Sequence, residues 1–303
     1  MQISENPGQP SPVVAARARL GECPVWDTER RVLFWVDAYN HRVHQFDPAT
    51  RRNRYLETGD IVSAIVLAGQ DRLLIALRDR LAFLDVNTGA IEVVYQIKFP
   101  CPNTRFNDGK CDSQGRFWIG AVSDAPEQAE LYRYDPDGSM HVMETGLTIS
   151  NGLGWSPDDA TFYLTDSAKH LIYAYDFDAK SGAIANRRVL IDLSRESVDG
   201  VVVEPDGMTI DQAGNLWIAL WNGWRVACFN PNGEEIHSIQ LPVQRPTSVA
   251  FGGAELRDLY ITSASVGLSQ KEIQKGFNAG DLFCAADQTV IAKPNFRFGH
   301  DPL

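Results

Sequence analysis

Arg116-Phe-Trp-Ile-Gly120 and Asn215-Leu-Trp-Ile-Ala219 are two copies of a short apolar strand that follows a polar turn. The other four copies are Arg31-Val-Leu-Phe-Trp-Val36, Arg72-Leu-Leu-Ile-Ala76, Thr161-Phe-Tyr-Leu-Thr165 and Asp258-Leu-Tyr-Ile-Thr262. The copies recur at intervals of about forty to fifty residues, which is typical of propeller blades. This repeat predicts a fold built from six similar units.

Each copy is followed by a second strand of alternating character, as in His170-Leu-Ile-Tyr-Ala-Tyr175, and several then enter a turn such as Asp135-Pro-Asp-Gly138. Another short strand precedes each copy. A parallel α/β fold would need helical patterns between its strands, and the sequence has no long one. The sequence therefore predicts an all-β fold, a six-bladed β-propeller. A β-sandwich is the alternative, but it does not explain six spaced copies.

Two segments depart from the repeat. Residues 268–275, Leu-Ser-Gln-Lys-Glu-Ile-Gln-Lys, favour a short helical excursion in the last blade. The turn at 221–224, Trp-Asn-Gly-Trp, either walls a pocket with aromatic faces or packs between blades.

The bulk composition is that of an ordinary globular protein, with 44% hydrophobic and 22% charged residues among 303. We expect residues 1–12, which are polar and rich in Pro, Gly and Ser, to form an N-terminal tail. Residues 13–303 are expected to form one propeller domain. No run is long enough to cross a bilayer and no secretion signal is evident, so we expect no membrane partner.

Charge and cysteine usage narrow the functional classes. The formal net charge of -11 argues against nucleic acid, because binding phosphates requires clustered Lys and Arg. The five cysteines are odd in number and lack Cys-x-x-Cys spacing. This usage favours buried free thiols in a cytoplasmic protein over a disulfide framework.

Aligning the repeats predicts a ring of polar side chains around the channel, because the innermost strands of all blades meet at the axis. The alignment uses one buried anchor in each copy: Trp35, Leu74, Trp118, Tyr163, Trp217 and Tyr260. Counting back eleven to thirteen residues from each anchor reaches Glu22, Ser63, Asn107, Asn151, Asp206 and Thr247 or Ser248. Every one of these side chains carries an oxygen atom.

Convergent oxygen ligands that include two carboxylates suit one divalent cation, such as Ca²⁺, Mg²⁺, Mn²⁺, Fe²⁺ or Zn²⁺. Taken singly, the Asn-Gly pair at 151 and the Asp-Gly pair at 206 are also favoured turn dipeptides. Three coordinating residue types at one level of the ring favour a metal site over three independent turns.

The same segments resemble the regucalcin, gluconolactonase and luciferin-regenerating-enzyme family. The resemblance runs from about residue 17 to about residue 285. Its motifs are Leu20-Gly-Glu-Cys-Pro-Val-Trp26, Arg105-Phe-Asn-Asp-Gly-Lys110, Ile149-Ser-Asn-Gly-Leu153, Pro205-Asp-Gly-Met-Thr-Ile-Asp211 and Phe251-Gly-Gly253.

The resemblance implies roles for individual residues. Glu22, Asn151 and Asp206 would hold the metal, and Arg105 and Asn107 would bind the hydroxyl and carbonyl oxygens of the substrate. The family often supplies a further substrate-contacting Glu, and at that place this chain reads Gly-Ala-Val-Ser-Asp-Ala-Pro-Glu over residues 120–127. We expect Asp124 to take this role, with Glu127 as the alternative.

The resemblance also implies a reaction, the hydrolysis of an aldonolactone to its free acid. A divalent ion can polarise the lactone carbonyl and acidify a water molecule, so no covalent nucleophile is required. We expect Asp206 to accept the proton of the attacking water, and the protein to act on a small sugar lactone as a monomer or weak homo-oligomer. A non-catalytic calcium-binding regulatory propeller and a hydrolase of another ester or lactone are the alternatives.

Overall fold

Six four-stranded antiparallel sheets surround one central channel in the computed structural model, which describes residues 8–299. The six-bladed propeller predicted from the repeat is confirmed. The anchor side chains used for the alignment are all buried, with exposed fractions between 0 and 4%. They lie in the second strand of each blade, where the repeat was most apparent.

The strands of each blade run in chain order from the channel outward, and the outermost strand of blade 6 is β1 (Pro10–Val14). Blades 1 and 2 contain β2 (Gly21–Asp27), β3 (Val32–Asp37), β4 (Arg42–Asp47), β5 (Arg52–Glu57), β6 (Val62–Ala68), β7 (Arg72–Leu77), β8 (Arg80–Asp85) and β9 (Ile91–Gln96). Blades 3 and 4 contain β10 (Arg105–Cys111), β11 (Phe117–Val122), β12 (Ala129–Tyr134), β13 (Met140–Leu147), β14 (Ser150–Trp155), β15 (Thr161–Asp166), β16 (Leu171–Asp178) and β17 (Ala183–Asp192). After the hairpin β18 (Ser197–Val198) and β19 (Val201–Val202), blades 5 and 6 contain β20 (Glu204–Ile210), β21 (Leu216–Trp221), β22 (Arg225–Phe229), β23 (Glu235–Gln240), β24 (Pro246–Gly252), β25 (Asp258–Ser263) and β26 (Leu282–Ala285).

The ring is closed by the N-terminal strand. β1 pairs antiparallel with β26, placing Pro10 opposite Ala285 and Pro12 opposite Phe283. Residues 10–12, which the sequence analysis places in the tail, thus lie in β1, because blade 6 takes its fourth strand from the start of the chain. Residues 1–7 of the expected tail, and residues 300–303 of the expected domain, lie outside the described residues.

All innermost strands run in the same direction, so they begin at one end of the channel, which we call the mouth, and finish at the other, the base. The longest excursions lie at the mouth. They are the β18–β19 hairpin between blades 4 and 5 and the short helix α1 (Gln270–Lys275) in blade 6. The helix confirms the excursion predicted at 268–275, and Ser269 caps it together with Glu272.

A β-bulge interrupts each innermost strand near the mouth. The register shifts lie between Glu22 and Val25, Val62 and Ala64, Phe106 and Gly109, Ser150 and Leu153, Pro205 and Met208, and Pro246 and Ser248. A bulge adds an unpaired residue and re-aims its side chain. The six predicted ring positions lie at or inside these bulges.

At the base, the C-terminal segment 286–299, which we call the strap, crosses the channel and contacts every blade. Its hydrogen bonds join Asn295 to Trp26, Phe298 to Leu67, Gly299 to Gly115, Lys293 to Pro157, Ile291 to Gln212 and Ala292 to Leu256. The Phe298 ring also stacks on Tyr134, with centroids 5.5 Å apart. The strap therefore covers the base, whereas the mouth is surrounded by the hairpin, the helix and loops.

The five cysteines are all free, and four of them are buried, as the sequence predicts. Within residues 8–299, no helix is both long and apolar enough to cross a bilayer.

Candidate metal centre and substrate pocket

The ring at the mouth contains two kinds of residue. Thr247 donates to the carbonyl oxygen of Gly21, 2.5 Å away, and its hydroxyl lies 2.9 Å from that of Thr262. Ser63 lies 3.5 Å from its acceptor, the carbonyl oxygen of Ala76. Both hydroxyl protons point at backbone carbonyl groups, and neither oxygen is among the buried atoms that lack a partner.

Glu22, Asn151 and Asp206 form the other kind. Each has a buried side-chain oxygen without a hydrogen-bond partner among the described residues: Glu22 Oε2, Asn151 Oδ1 and Asp206 Oδ1. A buried polar atom without a partner costs about 1–3 kcal/mol, so a group of such atoms needs an explanation. A cation held by all three oxygens would provide it.

The orientation of Asn151 follows from its neighbours. Its Nδ2 donates to Ser167 Oγ over 3.0 Å, and that hydroxyl donates to the carbonyl oxygen of Pro205 over 2.6 Å. Because the Ser167 proton is used by Pro205, the hydroxyl accepts from the amide nitrogen, and the amide oxygen faces the ring.

Two aspartates position the strands that carry Glu22 and Asn151. The carboxylate of Asp37 accepts from the backbone nitrogens of Arg19 and Leu20, at 3.3 and 3.2 Å. In blade 4, Asp166 accepts in the same way from residues 148 and 149, at 3.2 and 3.1 Å. The sequence analysis missed this pair, although the chain repeats Asp-x-x-x-His at 37–41 and 166–170.

The Asn-Gly and Asp-Gly pairs are not hairpin turns here. A Cβ atom at Gly152 would lie 2.4 Å from the carbonyl oxygen of Asp206, and one at Gly207 would lie 2.2 Å from Ser248 Oγ. The glycines let the innermost strands of blades 4, 5 and 6 approach closely. This close approach brings Asn151 and Asp206 together.

The electrostatics of the ring oppose two free carboxylates. Burial raises the pKa of Glu22 well above its usual value, and the charges of Asp206 and Asp108 raise it further. Burial also raises the pKa of Asp206 well above its usual value, followed by the charge of Asp108. Two buried carboxylates at close range retain protons unless a cation compensates them.

The donor set is two carboxylates and one amide. Within residues 8–299, no three His, Cys, Asp or Glu side chains lie close enough to hold a metal ion. Any site here therefore depends on Asn151 as its third donor, and all three donors are oxygens, which suit hard and borderline cations.

Arg105 and Asn107 lie beside the ring on blade 3. Arg105 Nη1 donates to Asn107 Oδ1 over 3.0 Å, and Asn107 Nδ2 donates to the carbonyl oxygen of Ser150 over 3.0 Å. The Arg105 guanidinium also lies over the Tyr39 ring, 5.8 Å from its centroid. These contacts hold both side chains at the mouth, next to the three unpartnered oxygens.

Arg245 is a second mouth arginine that the sequence analysis missed. It stands two residues before Thr247 in blade 6, as Arg105 stands two residues before Asn107 in blade 3, and comparing the blades at this position could have found it. Its Nε donates to Asn222 Oδ1 over 3.0 Å, and its guanidinium lies 4.7 Å from the centroid of Trp221. Trp221 is thus one wall of the mouth region.

The two predicted acidic candidates differ. Asp124 is exposed on the loop 123–128 at the mouth. Glu127 lies on the same loop and pairs with Lys169, 2.9 Å away. Within residues 8–299, Glu127 is therefore paired with a lysine and Asp124 has no such partner.

Comparisons with known proteins agree with the resemblance seen in the sequence. A family model described as the SMP-30/Gluconolactonase/LRE-like region matches residues 20–265. Regucalcin of Danio rerio is 36% identical over 291 residues, covering 94% of this chain and 97% of that protein. The 6-deoxy-6-sulfogluconolactonase of Pseudomonas putida is 36% identical over 273 residues, covering 89% and 92%.

The fold agrees as well. A solved luciferin-regenerating enzyme superimposes with a TM-score of 0.88 at 30% identity, over 97% of this chain and 99% of that one. The chain therefore belongs to the SMP-30/gluconolactonase/LRE-like family.

Proposed function

We propose that this protein hydrolyses a sugar-acid lactone to the free acid, using one divalent cation held by Glu22, Asn151 and Asp206. The observation that carries the proposal is that three neighbouring innermost-strand side chains at the channel mouth each have a buried oxygen without a partner among the described residues. Relatives named as sugar lactonases, such as the Pseudomonas putida protein, support the reaction class. The cation remains one of Ca²⁺, Mg²⁺, Mn²⁺, Fe²⁺ or Zn²⁺, since all tolerate oxygen donors.

When bound, a divalent ion supplies Lewis acidity, which polarises a carbonyl group and lowers the pKa of water. The residues of the chain orient the lactone. Arg105 and Asn107 bind its ring and exocyclic oxygens from blade 3, and Asp124 contacts a hydroxyl group from the loop 123–128. Arg105 also stabilises the carboxylate product through charge-assisted hydrogen bonds.

Asp206 moves the proton. Its Oδ1 is the proposed donor to the cation, and the other carboxylate oxygen accepts a proton as water attacks the lactone carbonyl carbon. The ring C–O bond then breaks, and the leaving oxygen takes up that proton to become a hydroxyl group. One water molecule is consumed and a hydroxy acid is released, so Asp206 returns to its starting state.

We propose that the protein acts in the cytoplasm, because five free thiols suit a reducing environment. A calcium-binding regulatory propeller is the second candidate, since regucalcins are among the relatives. It is the weaker one, because two carboxylates are few for a tight calcium buffer.

The decisive experiment follows lactone opening as proton release. Protein stripped of metal is assayed alone and after adding back each divalent cation, with glucono-, galactono-, xylono- and arabinonolactone as substrates. We expect metal-dependent turnover well above spontaneous hydrolysis. If the protein binds a cation but opens no lactone, aryl esters and phosphotriesters test the other hydrolase alternative, and failure there leaves the binding protein.

A further inference from the structure

A second layer of charge lies in the channel beneath the ring. Asp108 and Lys110 extend from β10 and line one internal cavity together with Cys23, Met208 and Ser248. Lys110 Nζ donates to the carbonyl oxygen of Met208 over 2.8 Å, which carries its ammonium group from blade 3 to blade 5. A positive charge is thus held inside the channel, between the ring and the base.

Asp108 is fixed in the same layer. It is buried, and its Oδ1 accepts from the backbone nitrogen of Gly109, 2.8 Å away, inside the bulge of β10. Lys110 gives its hydrogen bond to a carbonyl group instead of a carboxylate, so its charge acts on the carboxylates around it through space. Both residues occupy positions in the channel that are set by backbone contacts.

The charges of the two layers interact. Burial raises the pKa of Asp108, and the charge of Lys110 opposes this rise. Burial lowers the pKa of Lys110, and the charge of Asp108 opposes that fall. Asp108 also raises the pKa of both Glu22 and Asp206. The neighbouring Cys23 thiol stays neutral, because burial raises its pKa.

We propose that Asp108 and Lys110 set the net charge of the channel so that the ring selects a divalent cation over a trivalent one. Three carboxylates and one ammonium group leave two negative charges, which a dication neutralises. Arg105 and Glu204, nearer the mouth, are half-exposed and of opposite sign, so their charges largely cancel. The inference rests on the proposed metal site. Asp108 and Lys110 are positioning residues in it, because they act on the site through their charge.

The test measures cation selectivity directly. Metal-free protein is titrated with Ca²⁺ and with Tb³⁺, two cations of similar size, by calorimetry and terbium luminescence. Lys110→Met adds one net negative charge and should raise the Tb³⁺ preference about 10- to 30-fold, the effect of one charge several ångströms away at a dielectric constant of about 20. Asp108→Asn should lower the preference by a similar factor.

The double variant Lys110→Met/Asp108→Asn restores the net charge and should return the selectivity to within about threefold of wild type. Lys110→Arg keeps the charge and should do the same. Lys293→Met is the matched control, because this exposed lysine of the strap also donates to a backbone carbonyl group, that of Pro157 in blade 4. It should leave the selectivity unchanged.

Unchanged selectivity in both single variants overturns the inference. So does a double variant that departs from wild type more than either single variant, because that pattern indicates damaged packing. Failure of the wild type to bind either cation removes the metal site and the inference together. Selectivity that follows the charge, in a protein that opens no lactone, retains the inference and rejects the lactonase.

Discussion

The two buried aspartates of blade 5, one at each end of the channel, differ in their hydrogen bonding. At the base, Asp211 accepts hydrogen bonds from the backbone nitrogens of Ala213 and Asn215, from the Asn215 amide and from the Trp217 indole. At the mouth of the same blade, Asp206 has a buried oxygen without a partner within residues 8–299. Saturated hydrogen bonds stabilise the fold around Asp211, whereas the unsatisfied oxygen of Asp206 is suited to a ligand.

The loops follow the same division. The base has tight turns and the strap, whose contacts reach all six blades. The mouth has the β18–β19 hairpin, helix α1 and the arginines Arg105 and Arg245. We therefore expect substitutions at the base to reduce stability, and substitutions at the mouth to reduce metal binding and turnover. Four predictions test this division.

The largest effect is expected from replacing, one at a time, the two aspartates of blade 5 with asparagine. Asp206→Asn should lower turnover between about 10²- and 10⁴-fold, because the proton acceptor is lost. It should not destabilise the metal-free protein, because it removes the free-energy cost of burying a carboxyl group whose pKa is raised. Lactone hydrolysis and thermal unfolding of the metal-free form measure the two effects.

Asp211→Asn is the matched control, with the same substitution on the same blade. It should lower the free energy of unfolding by about 1–3 kcal/mol, because four donors share this carboxylate. Metal binding by the folded protein should persist. The division between mouth and base fails if both variants lose the same property.

A smaller effect is expected from Ser167→Ala. This change removes the acceptor that orients Asn151 and should weaken metal binding about 10- to 100-fold, as for other groups that hold a metal ligand in place. Calorimetric titration of the metal-free protein provides the measurement. Ser63→Ala alters a ring hydroxyl whose hydrogen bond is long, at 3.5 Å, and should have little effect. Equal losses in the two variants would contradict the role of Ser167.

At the base, Phe298→Ala should lower the free energy of unfolding by about 1–2 kcal/mol, because the ring is only partly buried against Tyr134. Urea unfolding gives this value. Phe296→Ala, at a side chain that is 39% exposed, should cost less. Both variants should keep the wild-type kcat/KM, and a loss of turnover at unchanged stability would show that the base takes part in catalysis.

The smallest effect concerns pH. Because the pKa values of Glu22 and Asp206 are raised in the metal-free fold, that fold binds more protons than the unfolded chain above their usual pKa values of about 4. Its stability should therefore fall as pH rises, and bound metal should remove this loss.

The difference in Tm between metal-loaded and metal-free protein should accordingly grow by about 2–4 °C from pH 5 to pH 8. Scanning calorimetry at several pH values measures it. His44, whose pKa burial lowers to about 4, affects both forms alike and drops out of the difference. A difference that shrinks with rising pH would contradict the assignment.

Much of the fold and of the ring was predictable because a propeller repeats one unit. Anchors such as Trp118 and Trp217 could be aligned without structural information, and the alignment placed Glu22, Asn151 and Asp206 at one level. The helix at 270–275 was predictable from its local pattern. Contacts between distant segments were not, since neither β1 nor the strap shares the pattern of the repeat.

The sequence by itself determined the number of blades and the residue types around the axis, because both depend on periodicity along the chain. Only the tertiary structure decided which oxygens are free. Ser63 and Thr247 carry oxygens at the same level as Asn151, but their hydroxyls bond to neighbouring strands, whereas Ser167 turns the Asn151 oxygen inward. Hydrogen-bond satisfaction depends on atoms from different blades, so it exists only after the ring has closed.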